Sequence, residues 1–278
     1  MNYAIFIFWL MGAIISACLM EDTVLACWML GIAISLSTFV MKSIVSPQTI
    51  DSVKIGDTFV PIIKNIRLVQ YFPNQPLINS WANNVDSSII VKKITIVKLT
   101  FFRPGSQVAN FIHMEVDAHD QYGNKIPGVV FLRGNCVAIL IQYIKDSVKY
   151  IVLVSQPRLA VGKDILEAPA GMLDDEKNLK GKMIDEVEEE TGIKILSKDL
   201  IPLGESYTSP GLLDEEIHMF MYNLPMDFDT STLHGRICGN QEEGERTSVI
   251  IMPEKEAIAK VNDSKLLAMI TRANSLTH

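Results

Sequence analysis

Cysteine is too scarce in this sequence to staple a fold. Four are present; Cys18 and Cys27 sit in strongly apolar runs, and Cys136 and Cys238 stand alone further on. With no CxxC pair there is no zinc knuckle and no disulfide framework, which points to a reducing compartment. Lysine and arginine never gather into a block, so the electrostatic track that a nucleic acid needs is missing. His113, His119, His218 and His234 are scattered without an HxxxH pair, and each reads as an ordinary core or surface histidine. There is no GxGxxG turn, no alternating series of strands and helices, no internal repeat and no low-complexity tract. Those absences exclude a doubly wound dinucleotide-binding sheet and a solenoid.

The net charge is −7, from 25 basic and 32 acidic residues. An acidic protein that binds a polyanion needs metal ions to bridge the like charges. Mean hydropathy is nevertheless +0.22, because apolar residues are concentrated at the start. Residues 4–20 and 24–41 carry no charge, and only Glu21-Asp22-Thr23 divides them. Each run matches the short end of a membrane-spanning helix. Three readings stand: a transmembrane hairpin, a cleaved signal followed by an anchor, or a spurious extension of the chain. Lys42, Lys54 and Lys64 follow the second run, which expects the folded part on the cytoplasmic side of a membrane. A cleaved or spurious leader leaves a soluble intracellular protein instead.

Residues 1–45 are thus expected to be an apolar leader, 46–125 a linker and β-rich region, and 126–278 the main domain. Four prolines and an Asn-rich stretch make 43–88 irregular, with a short strand near Phe59-Val60. From Ile89 the composition turns to Ile, Val and Thr, predicting strands over 89–102 and 110–119. Strands follow within 128–143 and 149–158, then 199–205, 215–223 and SVIIMP at 248–253. Helices are expected over 178–191, between an Asn178 cap and a Gly192 stop, and over 254–274. In the last helix Ile258, Val261, Leu266, Leu267 and Ile270 line the core face. The order predicts an α/β/α sandwich with a mixed sheet between helices.

The helix over 178–191 carries Glu186, Glu189 and Glu190 at i, i+3 and i+4, with Glu188 beside them. Like charges at that spacing repel, and a hard divalent cation with oxygen ligands offsets the repulsion. Gly171 lies at a fixed distance upstream, in Ala168-Pro169-Ala170-Gly171-Met172-Leu173-Asp174. The whole resembles the Nudix hydrolase box, G-x5-E-x7-R-E-U-x-E-E-x-G-U, where U is bulky and aliphatic. Gly171, Glu186, Val187, Glu189, Glu190, Gly192 and Ile193 match it. Two positions depart: Lys177 stands for the first Glu and Asp185 for the Arg, so a usual pair has both signs inverted. Glu176, one residue early, offers an alternative acid for the loop.

The similarity continues outside the box and covers roughly residues 125–275. Gln156-Pro157-Arg158, the Leu166–Asp174 segment, Ser209-Pro210-Gly211, Asp214-Glu215 and the loop Gly239–Arg246 resemble segments of ADP-ribose and ADP-sugar diphosphatases, the plant type most of all. The resemblance implies Mg²⁺, with Mn²⁺ as a substitute, held by Glu186, Glu189, Glu190 and the main-chain carbonyl of Ala170. It implies a general base from the late acidic loop, Glu243 ahead of Glu242 and Glu245, with Glu189 sharing in catalysis. Arg158 is implied to bind a phosphate oxygen, Glu215 the distal sugar hydroxyls, and Glu167 to hold the loop. A homodimer built through residues 89–125 is implied as well. The expected substrate is an ADP-sugar. Other nucleoside diphosphate derivatives, or a silent membrane-tethered ligand sensor, are the alternatives.

Overall fold

The computed structural model describes residues 48–64, 75–102, 105–173, 178–240 and 244–276. The apolar leader, Lys177, Glu242 and Glu243 lie outside them. Among the described residues no helix is long and apolar enough to cross a membrane. The chain divides into two compact units, one of residues up to Ala109 plus Met114–Gly128, the other of Asn110–His113 plus Val129–His278.

In the first unit β1 (Gln48–Ile55) and β2 (Thr58–Lys64) form an antiparallel hairpin, turning at Gly56 with φ 56°. Strand β3 (Ile89–Thr100) runs parallel to β2, and β4 (Phe111–Asp120) follows it in the sheet. Helix α1 (Pro76–Asn84) precedes β3. The segment expected to be irregular therefore holds two strands and a helix. Proline fits the first turn of α1 because its missing N–H has no partner there. Ile78 and Ala82, four residues apart, are buried. Gln75 is 1% exposed; its side chain accepts from Ala109 N and donates to Gln107 O, both at 2.9 Å. Those partners lie more than thirty positions away, so local pattern does not announce them.

The second unit is built on an eight-stranded sheet. Its strands are β5 (Val129–Leu132), β6 (Cys136–Lys145), β7 (Val148–Arg158), β8 (Lys163–Glu167), β9 (Ala170–Met172), β10 (Ile201–Tyr207), β11 (Glu216–Asn223), β12 (Ile237–Cys238) and β13 (Thr247–Pro253), of which β5 stands outside that sheet. The order is β10-β11-β6-β7-β13-β12, mixed because β11 runs parallel to β6. Strands β6 and β7 pair only near their turn, Ile141–Lys145 with Val148–Val152. Beyond that point they part. Strand β8 takes the freed edge of β7 and β9 that of β6, so Ala168-Pro169 steps across the gap.

Helices cover both faces. On one, Met183 and Val187 of α2 (Leu179–Thr191) pack on Val137, Ile139, Val152 and Val249. On the other, α3 (Glu254–Lys260) and α4 (Ser264–Ser275) cover Ala138, Leu140, Leu153 and Met219. A mixed sheet between helices is the expected architecture. The single helix expected over 254–274 is broken, however. Asp263 caps α4 by accepting from Lys265 N at 3.0 Å, and the break turns Ile258 (47% exposed) and Leu267 (38%) away from the core. The long β run over 128–143 also splits, at Gly134 with φ 77°, where the Asp214 carboxylate accepts from the Arg133 and Gly134 N–H groups. The strand expected over 199–205 starts later, after a single 3-10 turn at Ser197–Asp199.

Candidate active site

Helix α2 begins where Asn178 accepts from Gly181 N at 3.2 Å and stops at Gly192, φ 70°, whose N–H returns to Glu188 O at 2.9 Å. Both ends are as the sequence predicts. With Met183 and Val187 anchored in the core, helical spacing carries Glu186 and Glu190 to its margin, 6% and 2% exposed, and leaves Glu189 in solvent. The Glu190 carboxylate accepts from Ala170 N at 3.0 Å and from Gln156 Nε2 at 3.4 Å. Its main-chain carbonyl accepts from Thr247 Oγ1 at 2.9 Å, and that of Glu189 from Gly239 N at 2.8 Å. The C-terminal turn of α2 is thereby tied to β7, β9, β13 and the loop after β12.

Gly171 lies against the Glu186 carboxylate so closely that a Cβ there would overlap it. The glycine is needed for space, not for a left-handed backbone. Lys182 Nζ also approaches Glu186 Oε1, at 2.7 Å.

Burial pushes the Glu190 carboxyl up to about 8; the Ala170 N–H opposes this, and the charges of Glu186, Glu245 and Glu167 add to it. Glu186 is also raised, by burial first, with Lys182 opposing and Glu189 and Glu245 adding. Arg158 is buried enough to lose proton affinity, yet Glu167, bound to its Nε at 2.6 Å, and the charges of Glu190 and Glu245 hold it above its usual range. The other oxygen of Glu167 meets Lys265 Nζ at 3.3 Å, and Lys265 also meets Asp263 at 3.0 Å. The second oxygen of Asp263 accepts from Ala168 N at 3.1 Å. One chain of polar contacts therefore runs from the cap of α4 to the loop beneath Glu190.

Several expected residues thus meet at one place: Ala170, Gly171, Glu186 and Glu190, with Arg158 and Glu167 beside them. Glu189 stands apart in solvent, although its charge bears on Glu186. The three acids of the helix do not bring one oxygen each within 4.8 Å of one another. Among the described residues the group that does is Glu205, Glu216 and His218. Glu215 is 5% exposed, with its oxygens on Arg133 Nη1 at 2.9 Å and Thr208 Oγ1 at 2.7 Å. Asp185 is exposed, and its expected partner Lys177 lies outside the described residues. Of the loop acids Glu245 is described, and its charge reaches Glu186, Glu190 and Arg158.

Lys182, Asp263 and Lys265 escaped the sequence reading, and Gln156, named there only within a resembling segment, was given no role. Lys182 was legible, being four positions before Glu186 on a helix. Gln156 shares a strand face with Arg158 and was also within reach. Asp263 and Lys265 carried no local signal.

No protein-family model matches the chain. It is 36% identical over 214 residues to "Nudix hydrolase 14, chloroplastic" of Arabidopsis thaliana, covering 70% of this chain and 68% of that protein. Identity is 33% to a GDP-mannose pyrophosphatase of Cronobacter sakazakii (48% and 66% covered) and 36% to the ADP-ribose pyrophosphatase of Bacillus subtilis (30% and 44%). The chain thus spans about two thirds or less of these relatives' lengths. A crystal structure described as an ADP compounds hydrolase is 13% identical, with TM-score 0.47 over 70% of this chain and 96% of that one. So distant a likeness says nothing about activity.

Proposed function

This chain belongs to the Nudix hydrolase family, a hydrolase of phosphorus-containing anhydrides, and from that membership we propose that it cleaves ADP-sugars such as ADP-ribose or ADP-glucose. The products are AMP and a sugar phosphate. The observation that carries the reading is the convergence of Gly171, Ala170, Glu186 and Glu190 beside Arg158. Relatives named for ADP-ribose and GDP-mannose support a nucleoside diphosphate sugar as the substrate class.

Two buried carboxylates, one of them pushed up to about 8 by burial and neighbouring charge, suit a hard divalent cation. Glu186 and Glu190 would hold Mg²⁺ or Mn²⁺, with the Ala170 carbonyl and Glu189 completing the set. Bound there, the cation supplies neutralising charge for the pyrophosphate. Glu167 takes Arg158 Nε, so the terminal guanidinium nitrogens are the ones that meet a phosphate oxygen. A water attacks one phosphorus, a glutamate of the 239–246 loop accepts its proton, and the bridging oxygen leaves with the other phosphate. Glu243, then Glu242 and Glu245, are the alternatives for that base. The charge of Glu245 already bears on both buried acids and on Arg158. Glu215, with both oxygens engaged, serves the sugar end by holding Arg133.

Incubation of the full-length protein with Mg²⁺ and a panel of nucleotide sugars tests this reading. AMP should be released from ADP-sugars, falling by about a hundredfold or more in Glu190→Gln. Among Glu242→Gln, Glu243→Gln and Glu245→Gln, the largest loss in kcat identifies the base. Preferential cleavage of GDP-mannose would move the reading to a different nucleobase. Binding of ADP-ribose without turnover in either metal would end it. The uncharged runs 4–20 and 24–41 belong to the same proposal as a membrane tether, and release from membranes only by detergent is the expected behaviour.

A further inference from the structure

The metal reading assigns Glu186 to a divalent cation, and the structure gives the same carboxylate to a lysine. Lys182 Nζ lies 2.7 Å from Glu186 Oε1, one turn earlier on α2. The Glu186 side chain is only 8% exposed and that of Lys182 29%, so the pair is sheltered from the screening that makes surface pairs weak. The surroundings need a cation at this spot. Burial and the charges of Glu189 and Glu245 all work against an ionised Glu186, and Lys182 is what opposes them. Arg158 and Lys265 are tied to Glu167 instead. Gly171 lies so close to the same Glu186 oxygen that a Cβ there would overlap it. An ammonium on a flexible stem is a compact charge that leaves readily, unlike a forked guanidinium.

We propose that Lys182 is an internal counter-cation, a positioning residue that holds the Glu186 carboxylate while the enzyme is metal-free and gives it up when a divalent cation binds. The proposal rests on the metal reading above. Exchange of one cation for another subtracts the ion pair's free energy from metal affinity. The enzyme keeps an intact acidic helix between metal-binding events at the expense of weaker binding.

The test is a calorimetric titration of Mn²⁺, without nucleotide, into metal-stripped full-length wild type, Lys182→Met and Lys182→Arg. The Met variant should bind Mn²⁺ about tenfold more tightly, the worth of one charged hydrogen bond, with Lys182→Arg binding more weakly than wild type because its guanidinium is harder to displace. Metal-free, the Met variant should melt below wild type, and the gap should close at saturating Mn²⁺. A lysine that merely braced the helix would lower the melting temperature equally with and without Mn²⁺ and leave affinity unchanged, which overturns the proposal. Should the Met variant not fold without metal, amine labelling of Lys182 in the wild type, read by mass spectrometry, decides the matter. Labelling that rises several-fold on adding Mn²⁺ supports displacement, and unchanged labelling overturns it. Wild-type protein that binds no Mn²⁺ removes the metal reading itself. Wild-type binding with an unaltered Met variant removes only this inference.

Discussion

A single missing carbon atom sets the geometry of Glu186. Because a Cβ at position 171 would meet the flexible end of that side chain and not backbone, Gly171→Ala should cost under about 1 kcal/mol of stability. It should nevertheless lower kcat/KM by about ten- to a hundredfold, since the displaced carboxylate would no longer stand where the proposed cation binds. Paired melting and rate measurements separate the two effects. Glu190 makes a second prediction, through pH. Its folded-state value, about 8, lies above the ordinary 4.5. The neutral form therefore favours the metal-free fold fully below about pH 4.5, and that contribution is lost as pH rises through 8. In EDTA, Glu190→Gln should melt with wild type near pH 5 and several degrees above it at pH 9. A variant less stable than wild type at pH 9 would contradict the assigned burial cost. The identities of both residues were visible in the chain. The reason that 171 must be glycine was not, because it depends on a side chain fifteen positions away being folded back over it.

At the scale of elements, the break between α3 and α4 has a purpose that a continuous helix would lack. It frees Asp263 to cap α4 and to accept from Ala168 N, in the loop that supports Glu190. Asp263→Ala should destabilise by about 2–3 kcal/mol, one part for the cap and one for a buried N–H without a partner. KM should rise as well, because Lys265, Glu167 and Arg158 lose their common anchor. Chemical denaturation and steady-state kinetics check the two halves. Helix α2 was legible end to end, since Asn178, Gly192 and the period of Met183 and Val187 are local signals. Helix α1 was not. Its buried pair and the Gln75 contacts are consequences of what folds around it, and its own residues read as a loop former's composition.

At the scale of the molecule, the homodimer implied through residues 89–125 is a proposal that mass measurement by light scattering can check. About twice the chain mass is expected in detergent-corrected solution, and a monomer at micromolar concentration would withdraw it. The sequence alone determined the acidic helix and its caps, the glycine at its set distance, and the strand-rich order that makes a mixed sheet between helices. These follow from periodicity and capping chemistry, which act over a few residues. Tertiary structure decided which glutamates are buried, that β6 and β7 part to admit the Ala168-Pro169 step, and that a lysine meets Glu186. It also decided that an aspartate 95 residues downstream braces Ala168. Burial and long-range hydrogen bonds are properties of neighbours brought together by folding, and no short stretch of chain contains both partners.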